Sequence, residues 1–241
     1  KKLWEKNTEV DSDVDRYTVG LDREMDLYIA EWDIIGSLAH IRMLEKIGLL
    51  AADELSILTK NLREIYNEVL KPGFEIEPGI EDIHSQVELM LTNRLGDTGK
   101  KIHSGRSRND QVLVDLKLMM RAKIEEVADA VSRLFDILIN QSDRYADVTI
   151  PGYTHLQVAM PSSVGMWLGA YAEGLTDDIT VLSAAYNVVN RNPLGSAAGY
   201  GSSFPLDRDL TTRLMGFESV AINSVYAQMG RGKTERIVAQ A

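Results

Sequence analysis

The chain has 241 residues, with 26 Lys+Arg against 36 Asp+Glu and a formal net charge of −10. That balance argues against a general nucleic-acid binder or a binder of anionic membranes. It contains no cysteine, which excludes disulfides, thiolate catalysis and cysteine-ligated zinc together and fits a reducing compartment. No apolar run reaches about 18 residues, and Lys1-Lys2-Leu3-Trp4-Glu5 has no apolar signal core. No membrane segment is expected, and the default address is the cytoplasm.

Only six prolines occur, at 72, 78, 151, 161, 193 and 205, a distribution that favours long helices joined by a few structured loops. Residues 21–47 read as helix, with Gly48 as its end. Next, Asp53 can cap a helix whose apolar residues Leu55, Leu58, Leu62, Ile65 and Val69 step by 3, 4, 3, 4 along one face. Lys71-Pro72-Gly73 stops it. A shorter helix over 81–95 ends at Gly96, with Ile83, Val87, Leu91 and Leu95 on one side.

From 110 to 147 there is neither Gly nor Pro. Leu113, Leu116, Met120, Ile124, Val127, Val131, Leu134, Leu138 and Tyr145 hold one stripe, and such a helix would span about 57 Å. One compact monomer cannot bury a stripe that long; it calls for a long and often oligomeric bundle. A second long helix follows Ser162, carrying Val164, Leu168, Tyr171, Leu175, Ile179, Leu182, Tyr186 and Val189. A loop rich in Gly and Ser covers 190–206, and a last helical pattern runs to Ala241 without a stop signal. No run of strands is expected.

Polar groups without helical period collect between these helices. His103-Ser104-Gly105-Arg106-Ser107-Arg108-Asn109-Asp110 precedes the longest helix. A helix N-terminus with forked Arg and Asn donors suits a carboxylate or phosphate. The same loop could merely cap the helix, through Asn109 or Asp110. Pro151-Gly152-Tyr153-Thr154-His155-Leu156-Gln157 joins the two longest helices, and its histidine could exchange protons near neutral pH or be an ordinary turn residue. Asn192-Pro193-Leu194-Gly195-Ser196 and the glycines after it could approach a ligand or simply pack. Gly230-Arg231-Gly232-Lys233-Thr234 ends like a phosphate loop, but Ala227 stands where that motif needs Gly. His84 and Glu88 share a helix face as a metal pair would; capping or surface pairing explains them as well.

As a set, the 103–111 segment, Gly152-Tyr153-Thr154-His155-Leu156-Gln157 and Pro193-Leu194-Gly195-Ser196 resemble argininosuccinate lyase, with Lys2-Leu3-Trp4 and Glu81-Asp82-Ile83-His84 in agreement. The resemblance covers the whole chain in order. It implies an all-α, long-helix bundle of the fumarase/aspartase superfamily type, with 1–105 as an amino-terminal helical domain and 106–241 as part of the central bundle. It implies a homotetramer with a 20-helix core, active sites shared between three subunits, and β-elimination of argininosuccinate to arginine and fumarate, without cofactor or metal. Carried over, His155 is the catalytic histidine; Asn109 and Thr154 bind substrate, Ser107 and Arg108 flank the pocket, Thr18 supplies a hydroxyl, and Arg236 faces the substrate. The family's flexible G-S-S-x-M-P-x-K-x-N loop is not in these residues, so the 241-residue chain alone is expected to be inactive. An inert structural protein of the same fold, like the lens crystallins, is the alternative.

Overall fold

A computed structural model describes residues 12–241; Lys2-Leu3-Trp4 lies outside the described residues. The fold is all-α in class, with 67% helix. In chain order come α1 (Ser12–Val19), α2 (Asp22–Met25), α3 (Ala30–Lys46), α4 (Ala52–Val69), α5 (Ile83–Leu95), α6 (Asp97–Lys100) and α7 (Arg108–Arg144). The hairpin β1 (Thr149–Thr154) and β2 (Gln157–Ser163) precedes α8 (Val164–Val189). Then follow β3 (Arg191–Asn192), α9 (Arg208–Leu214), β4 (Ser219–Val220), α10 (Ser224–Met229) and α11 (Arg231–Gln240). These form two compact units, one holding residues up to 119 with 190–232, the other 120–189 with 233–241.

In the first unit, Leu58, Leu62 and Ile65 of α4 are fully buried with Ile34, Ile41 and Leu44 of α3 and Ile83 and Leu91 of α5. Each such side chain contributes about 1.5–3 kcal/mol by leaving water. A second cluster joins Val114 and Leu118 of α7 to Leu194, Met215 and Phe217. Gly36 permits this approach: a Cβ there would stand 3.1 Å from Val114 Cγ1.

Three helix boundaries differ from the sequence reading. The cap of α4 is not Asp53: Ala51 precedes the helix and its N–H donates to Glu54 Oε2 at 3.0 Å. Asp53 sits in the first turn, where a carboxylate faces the positive end of the helix dipole. Residues 21–47 are not one helix, because a 3-10 turn over Asp26–Tyr28 separates α2 from α3. There the Asp26 carboxylate accepts the Ile83 N–H at 3.0 Å, a tie across 57 positions that local periodicity does not report. Finally, α7 opens at Arg108, so its N-cap is Ser107: Ser107 Oγ accepts the Asn109 N–H at 3.2 Å, and Asp110 Oδ1 accepts the Ser107 N–H at 2.9 Å. This reciprocal pair resembles a capping box, with the serine accepting the N2 rather than the N3 N–H. Neither Asn109 nor Asp110 is the cap.

In the second unit, α7 and α8 meet closely where Gly165 has no side chain; a Cβ there would collide with the Ser142 carbonyl and stand 2.7 Å from Ala146 Cα. Ser142 Oγ donates to Gly165 O at 2.7 Å. The stripe of α7 is buried at Ile124 but exposed at Val127 (50%) and Leu134 (47%), and α8 exposes Trp167 (55%) and Tyr171 (56%). The segment between α7 and α8 is an antiparallel hairpin rather than a simple turn, registered from Thr149↔Ser163 to Thr154↔Gln157. It escaped the sequence reading for two reasons. Its residues are mostly exposed, so no period-2 apolar alternation marks them. Pro151 also pairs with Pro161, residues that ordinarily argue against a strand.

Candidate active site

Within the first unit, a cavity of about 240 Å³ opens at the N-terminus of α7. Arg108 and Asn109 line it together with Val112, while Asp22 and Asp26 line it from the α2 segment and Asp82 and His84 from the start of α5. Gln228 and Arg231 reach it from α10 and α11. All eight polar residues carry ionisable or amide groups, and Asp22, Asp82, His84, Arg108, Asn109 and Arg231 stand at or beside helix starts.

Asp82 is the junction. It caps α5 by accepting the Ser85 N–H at 2.8 Å and takes Arg108 Nη1 at 2.6 Å. Glu81 stands 3.3 Å from the same guanidinium. Burial pushes Asp82 upward, but His84, the Ser85 N–H and Arg108 together hold it below the usual carboxylate range. Arg108 keeps 45% of its side chain exposed toward solvent. The two arginines of the 103–110 segment therefore divide their labour. Arg106 is buried, donates to Ser37 Oγ at 3.1 Å and faces Asp33, Asp110 and Asp115. It is not a ligand-facing arginine; Arg108 is.

Behind the cavity wall lies a buried polar cluster that sequence spacing did not reveal. His84 Nδ1 lies 2.8 Å from Asp33 Oδ1 and 3.6 Å from Asp115 Oδ2. Gln111 Nε2 donates to the same Asp33 oxygen. Surface pairing of His84 with Glu88 is thus overturned, since His84 is buried and bonds across 51 positions to α3. Burial would raise Asp33, but His84, Arg106 and Gln111 hold it low. Asp115 accepts no hydrogen bond from the described residues, and burial followed by the nearby Asp33 pushes it well up against the opposing charge of Arg106. Among the described residues, Asp33, His84 and Asp115 are the group whose ligand atoms, all within 4.8 Å of one another, could hold a metal ion. Arg106 beside them supplies positive charge already. His40, whose ring Nε2 lies 2.9 Å from Ser104 O, is driven down to about 3 by burial and Arg106, and so stays neutral while it holds the loop.

Asp110 also fastens the Gly-rich segment, with the oxygen that the α7 cap leaves over. Its Oδ2 accepts the N–H groups of Gly195 (2.8 Å) and Ala197 (2.9 Å). Gln228 Nε2 donates to Ser196 Oγ and Ala197 O, both at 3.0 Å. Ala197 has φ +50°, outside the comfortable range for a side-chain-bearing residue. The sequence that ends like a phosphate loop is helical: α10 ends at Met229, α11 begins at Arg231, and Thr234 is buried.

Of the residues singled out from sequence, Ser107, Arg108 and Asn109 meet at one helix start, and Arg108 and Asn109 line the cavity. Thr18 lies in the same unit, exposed, with its hydroxyl donating to Val14 O at 2.9 Å. Thr154 and His155 lie in the second unit, exposed on the hairpin. His155 (φ +50°) and Leu156 (φ +63°) form its two-residue turn, a left-handed conformation usually given to Asn and Gly. Leu156 is 94% exposed. Arg236 is also in the second unit and exposed, whereas the arginines that line the cavity are Arg108 and Arg231. Asp26 and Gln228 had no local signal, and Arg231 was visible only inside the near-miss phosphate loop. Each arrives through a different segment of chain.

A family model described as lyase matches residues 8–233. The chain belongs to this lyase family. It is 67% identical over 239 residues to the argininosuccinate lyase of Parabacteroides distasonis, covering 99% of this chain and 54% of the relative. It is 39% identical over 238 residues to that of Thermotoga neapolitana, covering 99% of this chain and 60% of the relative. The chain thus spans about half the length of the Parabacteroides relative. Among solved structures, an EDDS lyase variant with bound fumarate has the same fold, with a TM-score of 0.79 at 24% identity over 97% of this chain and 46% of that one.

Proposed function

We propose that this chain is the amino-terminal part of an argininosuccinate lyase, which cleaves argininosuccinate to arginine and fumarate in the cytoplasm as a step of arginine biosynthesis. The observation that carries the reading is 67% identity to argininosuccinate lyases maintained through the whole chain. The cavity is chemically suited to the task. The start of α7 offers a positive dipole end, Arg108 and Asn109 add forked donors, and such fixed donors stabilise a carboxylate as negative charge builds on it. In this reading Ser107, Arg108, Asn109, Thr154, Thr18 and Arg236 bind substrate, and His155 moves a proton.

The bundle is a homotetramer in this proposal, with 1–105 as an amino-terminal domain and 106–241 as part of the core. Exposed Val127, Leu134, Trp167 and Tyr171 on the two longest helices support it, since apolar stripes of that length need partners. An exposed, backbone-strained His155 supports a site completed by neighbouring subunits, because strain of this kind persists where function uses it. The 241 residues alone do not turn over substrate, because the groups of such a site act as a unit. The test is fumarate release from argininosuccinate by the complete gene product, followed by ultraviolet absorbance and set beside the same assay on the 241-residue chain. No fumarate from the complete tetramer would refute the lyase reading and leave an inert protein of this fold. Turnover by the short chain would refute the requirement for the rest.

A further inference from the structure

We infer that His84 contacts the substrate through its Nε2 atom, and that Asp33 is the positioning residue that aims it. The inference rests on the lyase reading and adds to it a ligand-contacting residue on the cavity wall beside Arg108 and Asn109.

Three observations carry it. First, the ring is oriented by its inner edge. Nδ1 lies 2.8 Å from Asp33 Oδ1 and 3.6 Å from Asp115 Oδ2, and both carboxyls are fully buried. Asp33 is itself fixed by Gln111, which donates to the same oxygen. An ionised carboxylate only accepts, so the proton of this contact sits on Nδ1; the low-lying carboxyl of Asp33 agrees. Second, Nε2 has no hydrogen-bond partner although the side chain is only 6% exposed. Buried polar atoms are nearly always paired, and an orphan calls for an absent partner. Third, His84 lines the cavity. The two nitrogens point from opposite edges of the imidazole. With Nδ1 turned inward to α3 and α7, Nε2 is the ring nitrogen left to meet a ligand, which must displace the side chains that cover it.

A purely structural histidine would need only the Nδ1 bond. The complete protein carrying His84→Asn separates the two roles, because an asparagine amide nitrogen can take the place of Nδ1 and still donate to Asp33, with nothing where Nε2 was. His84→Gln places its amide near the Nε2 position instead. The expected result is a fall of at least tenfold in kcat/KM for His84→Asn at a melting temperature close to the parent's, with His84→Gln retaining more activity than His84→Asn. Parental kcat/KM in a folded His84→Asn protein would overturn the inference. Should that variant not fold, a crystal structure of the parent protein with arginine and fumarate decides: a ligand atom within hydrogen-bond distance of Nε2 supports the contact, and Nε2 facing protein or water with the ligand in place removes it. Fumarate release by the parent protein is scored separately, so failure of the lyase reading and failure of the His84 contact give different results.

Discussion

Asp82 tests whether one side chain both caps α5 and holds Arg108 in the cavity. Its two oxygens are divided between the Ser85 N–H at 2.8 Å and Arg108 Nη1 at 2.6 Å. Asp82→Asn keeps the cap, since Asn caps about as well as Asp, and loses the ion pair. Asp82→Ala loses both. The cap contributes about 1 kcal/mol. The ion pair joins a side chain 7% exposed to one 45% exposed, so solvent screening limits it to about 0.5–1 kcal/mol. Asp82→Asn should therefore cost about 0.5–1 kcal/mol and Asp82→Ala about 1.5–2 kcal/mol. For a domain of this size each kcal/mol moves the melting temperature by about 2–4 °C, so calorimetry at fixed protein concentration resolves the two. The pH dependence supplies a second check. Asp82 ionises more readily folded than unfolded, so its charge contribution is complete above the ordinary carboxylate range and fades as pH falls through the folded value. The gap between the parent and Asp82→Asn should close in acid, while the gap between Asn and Ala persists. If Asp82→Asn is as destabilised as Asp82→Ala, or if its gap ignores pH, the division of the carboxylate is wrong.

Further substitutions probe the other elements. Ser107→Ala should cost about 1 kcal/mol in denaturant unfolding because it removes the cap of α7. Asn109→Asp should leave stability within about 0.5 kcal/mol, since residue 109 is not the cap, yet lower the complete enzyme's kcat/KM by orders of magnitude through an anion facing an anionic substrate; full activity would remove Asn109 from the binding site. Leu156→Gly should raise thermal stability by about 0.5–1 kcal/mol by relieving a left-handed backbone, and unchanged or lower stability would mean the side chain is held by another subunit. His155→Asn in the complete enzyme should lower kcat by about 10²–10⁴-fold with KM changed far less, and a parental kcat would leave it a turn residue.

Local order was legible in the residues themselves. The 3–4 spacing of Leu55, Leu58, Leu62 and Ile65 and the Gly-free, Pro-free run through α7 announce helices because a single helix face must be apolar to be buried. The 103–110 segment announced a helix start with anion-binding chemistry, and Arg108 and Asn109 do line a cavity there. Tertiary structure decided the rest, for reasons no window of sequence contains. Arg106 and Arg108 are two residues apart and equal in chemistry; one is buried among carboxylates and the other opens to solvent, according to which elements pack over the helix start. His84 and Asp33 are 51 positions apart, so their bond exists only because α3 and α5 pack side by side. Asp110 backs the Ser107 cap with one oxygen and with the other accepts the N–H groups of Gly195 and Ala197, 85 and 87 positions away, a tie no local window contains. The hairpin is mostly exposed to water, so it carries none of the apolar alternation by which strands are recognised. Periodicity records which face of an element is buried; it does not record what is buried against it, and a site assembled from residues 22–26, 82–84, 108–113 and 228–231 is made of such meetings.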